Sequence, residues 1–218
     1  MKYKAILYDM DGTVLDTLAD LTAAVNHSLT VFGFPPVSAA QVRRSLGNGA
    51  KRLINCCLPE GADEARSEEL LEYYKKYYDA HCCIDTAPYE GIVPLMEKLL
   101  DAGVKQAILS NKPHSAVQPL AEKFFSGLLD FALGESETVR KKPDPSGLLN
   151  ATERLGFSVH ECLYVGDTEV DVQTAKNAGM DCVAVSWGFR DRPELEAAGA
   201  QMIADSVKEL EEIIRGVI

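Results

Sequence analysis

Basic residues and long apolar runs are both scarce in this sequence. Its 218 residues include 22 lysines and arginines against 33 aspartates and glutamates, a formal net charge of -11. A surface of this sign repels nucleic-acid backbones and anionic membrane surfaces. No apolar run approaches the roughly 18 residues that a transmembrane helix needs. The sequence therefore predicts no nucleic-acid partner and no membrane span, and a bound anion would need a local cation.

The beginning of the sequence lacks the features of a secretory signal. Residues 1–4 lead directly into a short apolar segment, without a charged region, an apolar stretch and a small-residue cleavage site in that order. We therefore expect a cytoplasmic protein.

The cysteines lack the spacing of a metal site. None of the six forms a Cys-x-x-Cys pattern, and the four histidines form no His-x-x-x-His pattern. Residues 56–57 and 82–83 are adjacent cysteine pairs, which bridge poorly, and a chain of this length does not need disulfides. The sequence predicts reduced cysteines and no structural zinc.

Short apolar segments alternate with amphipathic segments over much of the chain. Segments typical of buried strands cover residues 4–8, 105–109, 127–133, 162–165 and 182–185. Helical patterns separate most of them and cover residues 91–102, 116–124, 146–155 and 170–178. This alternation predicts an α/β fold with a doubly wound parallel sheet.

The alternation is interrupted early in the chain. Between residues 17 and 87 the strand patterns disappear, and helical periodicity covers 18–32, 39–46, 50–58 and 64–83. Because strand patterns both precede and follow this part, we interpret it as an α-helical cap at 17–87, inserted into a core formed by 1–16 and 88–218. Active sites of open α/β sheets lie at the carboxyl ends of strands, so an insertion leaving the first strand there can cover the site.

Two carboxylates follow the first predicted strand. Asp9 and Asp11 belong to the sequence Asp-Met-Asp-Gly-Thr-Val, where an extended backbone directs both side chains the same way. One carboxylate can attack a phosphoryl group while the other protonates the leaving oxygen and then activates water. A turn or a helix cap uses the same residue types. The pair alone does not decide between chemistry and local structure.

A second acidic motif follows another predicted strand. Asp167 and Asp171 belong to the sequence Gly-Asp-Thr-Glu-Val-Asp after residues 162–165. Magnesium prefers oxygen ligands and keeps open positions for water and substrate phosphate, so Asp9 and Asp167 are candidate ligands together with a backbone carbonyl. Asp171 either orients those ligands or pairs with a lysine, and the alternative is an acidic residue in the first turn of a helix.

Polar and basic residues follow two further segments. Ser110 and Asn111 follow the strand pattern 105–109, where a hydroxyl and backbone N–H groups can hold phosphate oxygens. Lys142, in the sequence Lys-Lys-Pro-Asp-Pro, can supply positive charge to a nucleophile and a phosphate. An ordinary turn and a solvated lysine are the alternatives.

Together these four segments resemble the motifs of the haloacid dehalogenase-like superfamily, and the resemblance covers essentially the whole chain. It implies a phosphatase with Asp9 as nucleophile and Asp11 as acid and base. Ser110 and Lys142 would bind phosphate. The resemblance also implies that Mg²⁺ is bound by Asp9, Asp167 and the carbonyl of Asp11.

The helical insertion resembles the C1 cap of that superfamily, and the whole chain most resembles its phosphoglycolate phosphatases. The segments that carry this resemblance are residues 46–50, 110–113 and 141–145. It implies a small phosphorylated metabolite as substrate, foremost 2-phosphoglycolate. Pyrophosphatases, 5'-nucleotidases, sugar-phosphate phosphatases and phosphomutases share the same motifs and stay open as alternatives. A receiver-like module with a phosphorylated aspartate is a non-enzymatic alternative, against which a positioned acid/base and a large cap argue.

Four cap residues are candidates for contact with the substrate. Asn48 and Gly49, followed by Lys51 and Arg52, reach the substrate if the cap closes over the sheet. A glycine-rich helix start with solvated basic residues explains the same sequence. Arg43, in the preceding helical segment, is expected on a polar helix face.

Overall fold

A computed structural model describes residues 2–216 of the chain, which form eight β-strands. The strands are β1 (Ala5–Tyr8), β2 (Leu15–Asp16), β3 (Ala87–Pro88), β4 (Lys105–Pro113), β5 (Phe131–Glu135), β6 (Cys162–Gly166), β7 (Asp181–Val185) and β8 (Met202–Ala204). Six of them form one sheet in the order β5-β4-β1-β6-β7-β8, and every neighbouring pair is parallel. The strands β2 and β3 form a separate antiparallel pair.

Ten α-helices accompany these strands among the described residues. They are α1 (Leu18–Val31), α2 (Ala39–Ser45), α3 (Ala50–Cys57), α4 (Glu64–His81), α5 (Ile92–Asp101), α6 (His114–Phe125), α7 (Ser146–Leu155), α8 (Glu169–Ala178), α9 (Arg192–Ala197) and α10 (Val207–Arg215). No helix within residues 2–216 is both long enough and apolar enough to cross a membrane.

Alternate side chains of β1 enter two different layers of the core. Ile6 and Tyr8 belong to a cluster that includes apolar residues of α5, α6 and α10. Ala5 and Leu7 belong to a second cluster, which includes residues of α7 and α8. Since successive strand residues point to opposite faces, the sheet is covered by helices on both sides. The predicted doubly wound α/β fold is confirmed.

The two edges of the sheet differ from the prediction. The strand predicted at 127–133 begins only at Phe131, because Gly127 has a φ of +77° and Leu128 N–H donates to the Phe125 carbonyl in a turn. The elements α9, β8 and α10 were not predicted. The strand β8 has three residues, too few to produce a recognisable alternation in the sequence.

The helices α1–α4 lie between β2 and β3, and we call them the cap. Leu15 pairs with Pro88 and Asp16 pairs with Ala87, so the outgoing and returning connections of the cap run side by side. This arrangement confirms an inserted helical unit, while the division at residues 17 and 87 stays a prediction.

Asp20, in the first turn of α1, ties the returning connection to the outgoing one. Its buried carboxylate accepts hydrogen bonds from the backbone N–H groups of Ile84, Asp85 and Thr86, each 3.0 Å from a carboxylate oxygen. The Thr86 hydroxyl donates a further bond of 2.7 Å. One charged side chain therefore satisfies donors of three consecutive residues at the base of the cap.

We expect the substitution Asp20→Ala to lower the free energy of unfolding by about 2 kcal/mol, because buried donors lose a charged acceptor. The melting temperature should fall by about 4–8 °C in thermal denaturation. Asp85→Ala is the control, since Asp85 is exposed and its carboxylate has no partner within residues 2–216. Equal shifts for the two variants would contradict the role given to Asp20.

Candidate active site

Three adjacent strands bring the predicted motifs to one edge of the sheet. Tyr8, the last residue of β1, pairs with Ile108 of β4 on one side and with Val165 of β6 on the other. Asp9 therefore leaves the sheet between the carboxyl end of β6 and the part of β4 that contains Ser110. Residues far apart in sequence meet here because the strands are parallel and in register.

Lys142 lies at the centre of this edge. Its Nζ is 2.9 Å from Asp9 Oδ2, 2.6 Å from Asp171 Oδ1 and 3.0 Å from the Tyr164 hydroxyl. The lysine side chain is only 2% exposed. Burial alone would lower the pKa of Lys142, but the Asp171 and Asp9 carboxylates outweigh it and raise that pKa. Lys142 is therefore charged and bound to two carboxylates.

Both oxygens of Asp171 have partners within the protein. Oδ1 accepts hydrogen bonds from Lys142 and Tyr164, and Oδ2 accepts from the backbone N–H and the hydroxyl of Thr168. Burial opposes ionisation of Asp171, yet the Lys142 ammonium and these hydrogen bonds lower its pKa. Asp171 thus holds Lys142, and the same side chain closes the first turn of α8.

Asp167 is fully buried beside these groups. Its Oδ1 accepts a 3.0 Å hydrogen bond from the Thr13 hydroxyl, and its Oδ2 accepts a 2.7 Å bond from the backbone N–H of Phe189. The backbone comes so close that a Cβ atom at Gly12 or Gly188 would overlap Asp167 Oδ2. These contacts fix the carboxylate in place and account for both glycines.

Carboxyl groups outnumber ammonium groups in this cluster. Carboxyl oxygens of Asp9, Asp167 and Asp171 lie within 4.8 Å of one another, and the Lys142 ammonium contacts those of Asp9 and Asp171. Burial, followed by the neighbouring carboxylates, raises the pKa of Asp167 well above its usual range. Burial also raises the pKa of Asp9 to about 7, although Lys142 opposes this shift.

A divalent cation fits this charge imbalance. Asp171 is occupied by protein donors, so Asp9 and Asp167 are the carboxylates that can contribute ligand oxygens. In the turn after β1, backbone hydrogen bonds use the carbonyls of Met10 and Leu15 and leave the Asp11 carbonyl without one among the described residues. A hard cation binds carboxylate and carbonyl oxygens of this kind.

Ser110 and Asn111 have different surroundings. Ser110 is buried and lines the cavity in front of Asp9. Asn111 also lines this cavity, but its amide nitrogen donates to the carbonyls of Gly47 and Lys142, and its amide oxygen accepts from Lys142 N–H. The Asn111 side chain therefore connects the loop of Lys142 to the cap, a role that motif spacing does not reveal.

The cap closes a cavity of about 130 Å³ over the sheet edge. Asp11 and Lys112 line it from the core, and the cap contributes Leu21, Leu46, Gly49, Ala50, Leu53, Tyr74 and Tyr78. The predicted Asn48, Lys51 and Arg52 do not line it. In α3, Leu53 and Ile54 face the interior, which leaves Lys51 and Arg52 exposed, with Lys51 3.7 Å from Glu68.

Two arginines connect the cap to the core and were not recognised from the sequence. Arg43, expected on a solvated helix face, donates to the carbonyl of Gly188 at 2.7 Å. Arg190 donates to the carbonyls of Leu46 and Arg43 and pairs with Glu169 at 2.7 Å. The partners are backbone carbonyls distant in sequence, so no motif marks these arginines.

We expect a divalent cation to raise the melting temperature more at pH 8 than at pH 5. The folded-state pKa of Asp9, about 7, lies above its ordinary value of 3.8, so ionisation between these pH values costs the cation-free protein stability. A cation offsets that cost only where the carboxylates are ionised. At ten times its Kd it contributes ~1.4 kcal/mol, or about 3–6 °C.

Asp167→Asn tests the same site, because it removes one candidate ligand and keeps the shape of the side chain. The cation-induced shift should shrink in this variant at pH 8, as followed by differential scanning fluorimetry. Equal shifts at both pH values, or an undiminished shift in Asp167→Asn, would place the cation elsewhere.

Comparisons with known proteins agree with this arrangement. The family model described as haloacid dehalogenase-like hydrolase matches residues 6–185. Phosphoglycolate phosphatase 1 of Pseudomonas aeruginosa is 32% identical over 214 residues, which cover 95% of this chain and 78% of that protein. N-acetylmuramic acid 6-phosphate phosphatase of the same species is 31% identical over 217 residues, covering 98% of this chain and 96% of that protein.

A solved structure shows the same fold over its full length. The crystal structure from Lactobacillus delbrueckii, described as that of a proposed phosphoglycolate phosphatase, superposes with a TM-score of 0.93 at 40% identity, covering 98% of this chain and 99% of that one. The family match extends from β1 to β7 and includes all four motifs gathered at the sheet edge. The chain therefore belongs to the haloacid dehalogenase-like hydrolase family.

Proposed function

We propose that this protein is a magnesium-dependent phosphatase that hydrolyses a small phosphate monoester, foremost 2-phosphoglycolate, through an aspartyl-phosphate intermediate on Asp9. The observation that carries the proposal is the position of Asp9. Its carboxylate is bound by Lys142 at 2.9 Å, lies beside Asp167 and lines a small cavity that also contains Asp11.

Magnesium is the cation that suits this chemistry. Asp9, Asp167 and the carbonyl of Asp11 would hold it, since Mg²⁺ prefers oxygen ligands and retains positions for water and phosphate. When bound, the ion supplies positive charge that offsets the repulsion between a carboxylate and the oxygens of a phosphoryl group.

Asp9 attacks phosphorus, and its surroundings prepare it for this step. The Met10 N–H donates to Asp9 Oδ1 at 2.7 Å, and Lys142 contacts Oδ2, so the carboxylate is held in one orientation. The hydroxyl of Ser110 lines the cavity, where it offers a hydrogen bond to a phosphoryl oxygen, and the Lys142 ammonium places its positive charge beside Asp9. Orientation and fixed charge of this kind are the main contributions that a protein makes to phosphoryl transfer.

Asp11 moves the protons. As Asp9 forms its bond to phosphorus, the bond from phosphorus to the ester oxygen breaks, and Asp11 gives that oxygen its proton. Asp11 then takes a proton from the water that attacks the aspartyl phosphate, which releases inorganic phosphate and regenerates Asp9. The cap covers the site during these steps and limits access of other water.

The cavity supports a small leaving group. Its volume of about 130 Å³ is well below the roughly 300–1,000 Å³ of a site for a drug-sized ligand. A two-carbon alcohol fits this space better than a nucleoside or an amino sugar. The names of several relatives point to phosphoglycolate as well.

We expect Mg²⁺-dependent release of phosphate from 2-phosphoglycolate to exceed that from pyrophosphate, nucleoside monophosphates and hexose phosphates. Substitution Asp9→Asn should reduce release to that seen with chelator, because an amide cannot act as the nucleophile. Asp101→Asn is the matched control on an exposed helix position and should retain activity. Undiminished release by Asp9→Asn would overturn the mechanism, and preference for another substrate would overturn the choice of phosphoglycolate.

Asp11→Asn tests the intermediate directly. With p-nitrophenyl phosphate, whose leaving group needs little protonation, this variant should release one equivalent of nitrophenol in a burst and then slow about 10²–10⁴-fold, because activation of water is lost. Mass spectrometry after acid quench should find the phosphoryl group on Asp9. A burst without label on Asp9 would contradict covalent catalysis at that residue.

A further inference from the structure

Lys112 is a buried cation that the proposed reaction steps do not use. Its side chain is only 4% exposed, and its Nζ lies 2.9 Å from Asp11 Oδ1 and 2.8 Å from the Tyr78 hydroxyl. The residue enters the cavity from β4, whereas Tyr78 enters from α4 of the cap. Lys112 therefore contacts both the acid/base residue and the cap.

Lys112 and Tyr78 both have hydrogen-bond donors without a partner among the described residues. An ammonium group has three N–H donors, and within residues 2–216 only the Tyr78 hydroxyl accepts a hydrogen bond from Lys112, because the contact with Asp11 is an ion pair without hydrogen-bond geometry. The Tyr78 hydroxyl accepts from Lys112, and its own hydrogen has no acceptor among the described residues. Buried donors of both Lys112 and Tyr78 thus border the cavity without acceptors, which favours a ligand that accepts from both residues.

The remaining residues that line the cavity include no second buried cation. Leu21, Leu46, Ala50 and Leu53 contribute apolar surface. Lys75, the other lysine in the lining, is 39% exposed and pairs with Glu72 at 2.6 Å. A second anionic group of a substrate would therefore find its buried cation at Lys112.

The short distance between Asp11 and Lys112 favours a substrate whose second anionic group is close to the ester oxygen. An ester oxygen within hydrogen-bond reach of Asp11 Oδ1, the oxygen beside Lys112, lies at most about 6 Å from Lys112 Nζ. In 2-phosphoglycolate a single methylene group separates the ester oxygen from the carboxylate carbon. The carboxylate is therefore close enough to approach Lys112 and Tyr78 while the phosphate faces Asp9.

We propose that Lys112 and Tyr78 form a subsite for a carboxylate on the leaving group, so that the enzyme selects phosphate esters of short 2-hydroxy acids. This inference rests on the proposed phosphatase function and specifies its substrate class. The carboxylate accepts one hydrogen bond from Lys112 and one from Tyr78. Because the donors come from the core and the cap, the substrate also bridges the two when the cavity is closed.

The test compares two substrates that differ at one group. 2-Hydroxyethyl phosphate has a hydroxymethyl group where 2-phosphoglycolate has its carboxylate. The ratio of kcat/KM for the two esters is measured for the native protein, Lys112→Met and Tyr78→Phe. Lys98→Met is the matched control, since Lys98 is exposed, pairs with Glu211 and does not line the cavity.

We expect the native protein to prefer 2-phosphoglycolate and Lys112→Met to lower that preference about 10- to 100-fold, because a hydrogen bond between charged groups is lost. Tyr78→Phe should lower it about 3- to 10-fold. Lys98→Met should retain the native ratio. Tyr78→Phe removes only an oxygen and keeps the ring in place, so it provides the measurement if Lys112→Met does not fold.

Two outcomes would overturn the inference. Equal losses for both esters would show that Lys112 acts only through Asp11. A kcat/KM ratio near one for the native protein would show that it does not distinguish the carboxylate from a hydroxymethyl group, even though phosphatase activity is present. No release of phosphate from either ester, or from any member of the wider panel, would instead be a failure of the proposed function.

Discussion

One buried ammonium group holds the candidate site together. Lys142 bridges two carboxylates, Asp9 after β1 and Asp171 in the first turn of α8, and each of them lies within 3 Å of its nitrogen. Removing water from several charges in one place is costly unless the charges are paired and hydrogen-bonded. The Tyr164 and Thr168 side chains complete those hydrogen bonds on the side of Asp171. The other side of the cluster, at Asp9 and Asp167, is left with surplus negative charge.

This division of charge explains why neighbouring aspartates have different properties. Asp171 is stabilised in its ionised form by Lys142, whereas Asp167 pairs with no cationic side chain among residues 2–216 and is held by neutral donors. The ionised Asp171 holds the lysine in place, and Asp9 and Asp167 are the less stabilised carboxyl groups, which suit a cation. Asp9 belongs to both parts of the cluster, because it contacts Lys142 and lies beside Asp167.

The sequence predicted those parts of the fold and site that depend on local patterns. Strand patterns that alternate with helical patterns indicated a parallel sheet, and parallel strands bring the motifs that follow them to a common edge. Hydrogen bonds between residues that are far apart in sequence leave no local pattern, so they could not be predicted. From the sequence we expected Arg43 on a solvated helix face, but its guanidinium donates a hydrogen bond to the Gly188 carbonyl. From the sequence we expected Asn111 to bind phosphate, but its amide donates to the carbonyls of Gly47 and Lys142. Lys51 and Arg52 show the opposite case, because the apolar face of α3 turns them outward.

The base of the cap separates the helices α1–α4 from the sheet edge that contains the candidate site. Both connections leave the core at one short antiparallel pair, and the carboxylate of Asp20 fastens the second to the first helix. The reactive carboxylates and Lys142, by contrast, are all supplied by the sheet and its loops. A substitution confined to α1–α4 can therefore change the cap side of the cavity, including Tyr78, without disturbing the strand register or the charges at the sheet edge. In this architecture, changes to the shape of the cavity can be separated from changes to the carboxylates and Lys142 at the sheet edge.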